Sequence, residues 1–222
     1  MSKQFRTVTD LQEALSEERV WRIREISTLK KKLLPNPISR GRVNEDSLAL
    51  LRPCVTMIYA HWEGFVKKTT SFYLQFVSYQ GLPHNSLLPV FLAMAARKHT
   101  IEKSLSGPAA DREFIKFMLE KGATRSFLPY KNIINTRDNL WFYVFQEIFE
   151  SIGLSWHPYE LKAKLINTKL VDKRNAIAHG QYIDIEPQDV SDLFEFIIEM
   201  MDQICEQILQ AARDEAYKIK AI

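Results

Sequence analysis

LRPCVTMIYAHWEGFVKKTTSFYLQF, residues 51–76, decides the fold, because a mostly apolar series recurs through it at spacings of three and four: Leu51, Cys54, Val55, Ile58, Trp62, Phe65, Val66, Thr69, Phe72 or Tyr73, and Phe76. Residues so spaced share one face of an α-helix, and the series lasts for about seven turns, so it predicts a central core helix. The regular spacing reads the Trp and Phe side chains as packing, not as a cofactor box. Another face of the same helix is polar, with Arg52, Thr56, Tyr59 and Glu63 stacked at intervals of four, three and four. A polar strip therefore runs beside an aromatic core.

Towards the carboxyl end the pattern repeats, as Val190, Leu193, Phe194, Ile197, Ile198, Met201, Ile204, Cys205, Ile208, Leu209 and Ala212 form an apolar stripe behind Pro187, a first-turn residue. Towards the amino end, Leu11, Leu15, Val20, Ile23, Ile26, Leu29 and Leu33 predict an amphipathic helix over 10–34, capped by Thr9 or Asp10 and stopped by Pro35 and Pro37. Its Lys30, Lys31 and Lys32 complement the negative end of the helix dipole. The polar, turn-forming stretch Pro35 to Asp46 reads as an exposed connection between this helical arm and the main body; Arg40 and Arg42 within it could touch phosphate, though a surface loop needs no such partner.

Between the two long core helices, Val90–Lys103, Asp111–Glu120 and Thr136–Ile152 predict shorter helices with Asp111 and Asp138 as caps, followed by a short helix over Pro158–Leu165 and one carrying KLVDKRNAIAH that ends at Gly180. No convincing period-two segment appears. The expected fold is an all-α antiparallel helical bundle in a single domain over 1–222, with an arm over 10–34, a bundle core over 47–213 and additional short helices.

The chain's 222 residues suit one core, and its 7 Gly and 9 Pro favour long regular elements over many tight turns. A net charge of +3 says little by itself about nucleic acid. Cys54 and Cys205 fall on predicted buried faces and read as reduced core thiols. The opening MSKQFRTVTDLQE carries no signal-peptide pattern, and no apolar run approaches the roughly 20 residues of a membrane span, so a cytoplasmic protein is expected.

Standard catalytic signatures are missing: GxxxxGK[ST], GxGxxG, HExxH, GxSxG and CxxC do not occur, and the histidines lack ligand spacing, so neither a metal nor a cofactor is expected. What remains is KRNAIAHG, residues 173–180. At helical geometry Asn175 and His179 lie about 40° apart on one face, while Arg174 lies roughly 140° from His179 and reaches it only through its long side chain. One copy makes a sparse site. Two copies across a two-fold axis would converge two arginines and two histidines on one cleft, a physical reason to expect a homodimer. These groups suit RNA phosphodiester cleavage, since an imidazole moves protons near neutrality and a guanidinium fork stabilises charge growing on phosphoryl oxygens. His179, at the carboxyl end of its helix, is suited to a cationic role.

Arg174-Asn175-Ala176-Ile177-Ala178-His179 resembles the Arg-polar-x3-His signature of HEPN domains, helical bundles that include metal-independent endoribonucleases of toxin-antitoxin and antiviral defence systems. The chain is similar to MAE-type HEPN nucleases in three places: ALSEERVWRIREISTLKKKL, LRPCVTMIYAHWEGFVKKTTSFYL and the RNxxAHG element. The resemblance implies that Arg174 and His179 are catalytic, with Asn175 as the supporting polar residue, and that an antitoxin or defence-system partner exists. Glu63 is a further candidate, for orienting Arg174 or His179. Lys169 and Lys173, with Lys162 and Lys164, make the approach to the motif basic and are candidates for binding RNA. The alternative is a non-catalytic dimeric scaffold of the same fold that holds RNA or protein.

Overall fold

A computed structural model describes residues 4–33 and 45–220. The expected connection Pro35–Asp46, with Arg40 and Arg42, lies outside the described residues apart from its last two positions. Seven α-helices follow in order among the described residues: α1 (Val8–Leu33), α2 (Glu45–Tyr79), α3 (Pro89–Glu102), α4 (Gly107–Lys121), α5 (Phe142–Ser151), α6 (Asp172–Ala178) and α7 (Pro187–Arg213). No strand occurs among the described residues, where the only β-type pairings are isolated bridges joining Pro83 to Arg125 and Leu87 to Lys218.

The cap of α1 is a reciprocal pair. Asp10 N–H donates to Thr7 Oγ1 at 3.1 Å and Thr7 N–H to Asp10 Oδ2 at 2.9 Å, so the helix begins ahead of the expected Thr9 or Asp10 cap. Far from standing off as an arm, α1 packs on both α2 and α7, with Leu11, Leu15 and Ile26 sealed in the common core. An outer position would have left that apolar stripe in water.

Side-chain pairs give the directions of the three long helices. Along α1 and α7 the partners run in opposite order, Gln12 with Arg213, Arg19 with Asp202 and Lys30 with Glu195, so these helices are antiparallel. Phe5 against Phe72 and Trp21 against His61 make α1 antiparallel to α2 as well. It follows that α2 and α7 run parallel, tied at one end by Arg52 to the Gln181 carbonyl and at the other by Phe76 to Tyr217. A parallel pair needs a long return connection. The segment between Tyr79 and Pro187 supplies it.

That return path departs from the sequence reading in instructive ways. In place of a helix from Thr136, the chain stays irregular until Phe142, because Asn135 Oδ1 accepts the Arg137 N–H at 2.8 Å and Arg137 takes φ +55°. Asp138 caps nothing; the first amide of α5, at Phe142, donates instead to Asn167 Oδ1 at 2.9 Å. Asp111 lies inside α4, which starts at Gly107 with Pro108 in its first turn. The helix expected over Pro158–Leu165 is a 3₁₀ turn, His157–Lys162, followed by a π-helical stretch, Leu165–Val171, that runs directly into α6.

An aromatic cluster packs α5 on α2 and ties it to α7 through Tyr159 of the 3₁₀ turn. Trp62 stacks on Phe145 at 5.6 Å, Phe145 meets Phe149 at 4.2 Å and Tyr159 at 5.1 Å, and the Tyr159 hydroxyl donates to Gln207 Oε1 at 2.7 Å. Phe145→Ala is expected to cost about 3–5 kcal/mol by leaving a cavity at the centre of this cluster. Chemical denaturation measures it, and a loss below about 1 kcal/mol would contradict this packing.

Burial lowers the His61 and His84 rings from their ordinary value of 6.5, with Glu25 opposing the effect at His61. The fold therefore accommodates the neutral rings and the unfolded chain takes up protons first. Stability is complete above 6.5 and lost as pH falls through it. Melting temperature should fall between about pH 7.5 and about 5.5, with a shallower slope in His61→Gln; a flat profile in the unmodified protein would contradict the assignment.

Candidate active site

The motif helix α6 owes its place to what flanks it. Ile166, Leu170 and Val171 of the π-helical stretch are buried, which docks its front end on the core. Its back end closes in a Schellman turn: Gln181 N–H donates to the Ala176 carbonyl at 2.9 Å and Gly180 N–H to that of Ile177 at 3.0 Å, with Gly180 at φ +71°. Arg52 Nη2 then fixes the Gln181 carbonyl at 2.7 Å. No residue of α6 is fully buried, so the helix lies at the surface with its side chains within reach of a ligand.

Arg174 is half-buried and turned inward. Its Nη1 donates to Asn139 Oδ1 at 2.9 Å and to Asn175 Oδ1 at 2.8 Å, and its Cζ lies 4.9 Å from the centre of the Tyr59 ring. Tyr59, itself buried, accepts the Leu140 N–H on its hydroxyl at 2.8 Å. Burial first, with the charge of the nearby Glu63 carboxylate, pushes the phenol up to about 12. Glu63 accepts from Thr136 Oγ1. His179 closes α6 exposed, with only its backbone engaged, N–H to the Asn175 carbonyl at 3.0 Å.

The structure thus joins Arg174 to Asn175 directly and places His179 one turn further along the same helix. Glu63 does not touch Arg174 or His179 through a hydrogen bond among the described residues; Tyr59 stands between it and the guanidinium. Lys173 and Lys169 both face Asp189 in the first turn of α7, at 2.8 and 3.5 Å, and Lys173 holds that carboxyl below its ordinary value. Lys162 is paired with Glu199 at 2.9 Å. The basic approach read from the sequence is therefore largely matched by acids of α7, which lie close in space and distant in the chain.

Three of the four members of the α2 polar strip, Arg52, Tyr59 and Glu63, face this region or its supports; the buried Oγ1 of the fourth, Thr56, has no hydrogen-bond partner. The sequence reading missed Asn139. The only signal for it is the polar run Asn135 to Asn139 ahead of an apolar helix, and that run says nothing about which asparagine turns inward. No group of three His, Cys, Asp or Glu among the described residues could hold a metal ion. Among those residues no helix is long and apolar enough to cross a membrane. Cys54 and Cys205 are free thiols that burial raises to about 11 and about 12.

The family model described as RiboL-PSP-HEPN matches residues 17–210, a span that takes in α2, the Asn139 loop, α6 and nearly all of α7. No curated protein and no solved structure matches the chain.

Arg52→Ala removes the clamp on the turn behind His179. We expect a stability loss of about 1 kcal/mol and faster hydrogen exchange at the Gly180 and Gln181 amides. Unchanged exchange at both amides would show that the clamp does not hold the turn.

Proposed function

The chain belongs to the RiboL-PSP-HEPN family, and from that membership we propose that it is a metal-independent endoribonuclease working through Arg174 and His179. The observation that carries the reading is the pairing of an inward-held guanidinium, on Asn139, Asn175 and Tyr59, with an exposed imidazole at the end of the same short helix. The RNA 2′-hydroxyl attacks the adjacent phosphorus as its proton passes to water or to the neutral His179 imidazole of a second copy, the 5′-oxygen leaves with a proton from the other imidazole or from water, and the products carry a 2′,3′-cyclic phosphate and a 5′-hydroxyl. The Arg174 guanidinium stabilises the charge that grows on the phosphoryl oxygens. His179 acts as a proton donor to the leaving oxygen or as a cationic clamp on phosphate. DNA lacks the attacking hydroxyl and is not a substrate.

HEPN domains commonly act as dimers, and the surface position of α6 fits two copies meeting across a two-fold axis, each contributing one arginine and one histidine to a shared cleft. Lys169, with more than half of its side chain exposed, is the better placed of the two lysines to meet the RNA backbone, and Lys173 mainly holds Asp189. Glu63 acts at a distance, through Tyr59. The resemblance to MAE-type nucleases supports reading the enzyme as a toxin or antiviral effector controlled by a partner protein.

Arg174→Ala and His179→Ala are each expected to lower cleavage of an RNA oligonucleotide about a hundredfold or more, while chelator leaves the unmodified protein's rate unchanged. Wild-type cleavage by either folded variant would overturn the reading. Growth arrest on expression in bacteria, relieved by His179→Ala, is the matching result in cells; harmless expression of the unmodified protein would point to the scaffold instead.

A further inference from the structure

Resting on the nuclease reading, we propose that Asn139 is a positioning residue that, with Tyr59, holds the Arg174 guanidinium through uncharged contacts, leaving its positive charge and one hydrogen-bonding edge free for phosphate. Several other cations of the chain are held differently. Arg19, Arg22, Arg137, Lys162 and Lys173 are all held by carboxylates, from Asp202, Glu18, Glu147, Glu199 and Asp189. Arg174 is held by two amide oxygens and the face of a ring, and no carboxylate lies within ion-pair distance of it among the described residues.

The geometry also selects which edge stays open. Both amide oxygens bond Nη1, which has two N–H groups to give, so Nη1 is saturated. Nε and Nη2 have no hydrogen-bond partner among the described residues, and together they form the side of the guanidinium that grips two oxygens of one phosphate. Glu63 would be the natural counter-ion, yet its carboxylate accepts from the Thr136 hydroxyl and makes no ion pair with Arg174 among the described residues. Tyr59 does a second service, since its hydroxyl takes the Leu140 N–H and so anchors the residue next to Asn139. A carboxylate in place of Asn139 would keep the hydrogen bond but cancel the charge that a phosphate needs.

Two substitutions separate charge from support. Asn139→Asp preserves shape and an acceptor oxygen while adding a negative charge; Asn139→Ala removes the acceptor and adds none. Melting temperature, kcat and KM on an RNA oligonucleotide are read for both, with Arg174→Ala alongside. We expect Asn139→Ala to lower kcat roughly tenfold with KM within about twofold, because the guanidinium wanders without losing charge. Asn139→Asp is expected to melt no lower than wild type, yet to lose roughly thirtyfold or more in kcat/KM, with KM raised. A purely structural Asn139 gives the reverse ranking, with the aspartate close to wild type and the alanine worse, and that ranking overturns the proposal while leaving the nuclease standing. Should the aspartate variant fail to fold, the alanine variant decides: a kcat loss at steady KM supports the proposal and wild-type kcat ends it. If Arg174→Ala itself cuts RNA at the wild-type rate, the nuclease reading falls and this inference falls with it.

Discussion

The parallel packing of α2 and α7 is the constraint on which the arrangement depends. Two helices joined directly by a short loop lie antiparallel, and α1 does so against each of them through Arg19 with Asp202 and Trp21 with His61. For α7 to run beside α2 in the same direction, the chain must leave the Tyr79 end of the bundle and come back to the Arg52 end before starting Pro187. Everything from α3 to α6 is that return. The motif helix is its last piece, so Arg174 and His179 arrive beside the front half of α2 as a consequence of topology.

What meets them there is the polar strip. A core helix facing only apolar neighbours would have no use for Arg52, Tyr59 and Glu63 on one side, and each proves to hold a part of the site or its supports: Arg52 the turn after α6, Tyr59 the guanidinium and the Leu140 amide, Glu63 the Thr136 hydroxyl. Tyr59 is the pivot, with its ring under Arg174 and its hydroxyl accepting the Leu140 N–H. Such buried polar contacts are strong only when complete, which ties the order of the Asn139 loop to that of the site.

Much of this was legible in the chain. The three-four rhythm of 51–76 and the stripe from Val190 to Ala212 specify long buried helices, because their burial face is written in one local period. The same holds for the stop at Gly180, whose positive φ a glycine adopts without strain. Several of the differences trace to contacts between residues distant in the chain. Residues 136–141 carry enough helical pattern to suggest a helix, but the turn of Thr136 and Leu140 onto α2 and of Asn139 onto α6 competes with it and wins. The polar stretch after residues 10–34 suggests an outer arm, whereas the apolar face of α1 is covered by α2 and α7. Lys173 looked free because Asp189, its partner, lies across the turn between α6 and α7. The family resemblance located Arg174, Asn175 and His179, and spacing alone gave no hint that Asn139 would complete their setting.

The central claim is that this surface helix cuts RNA by using the RNA's own 2′-hydroxyl, with protein groups moving protons and steadying charge. Its most direct test is a pair of oligonucleotides that differ at one mapped cut site, one all-ribose and one with a single 2′-deoxy sugar on the 5′ side of the scissile phosphate. The account predicts that the first is cut to a 2′,3′-cyclic end and that the second survives at that site. Equal cutting of both would contradict it.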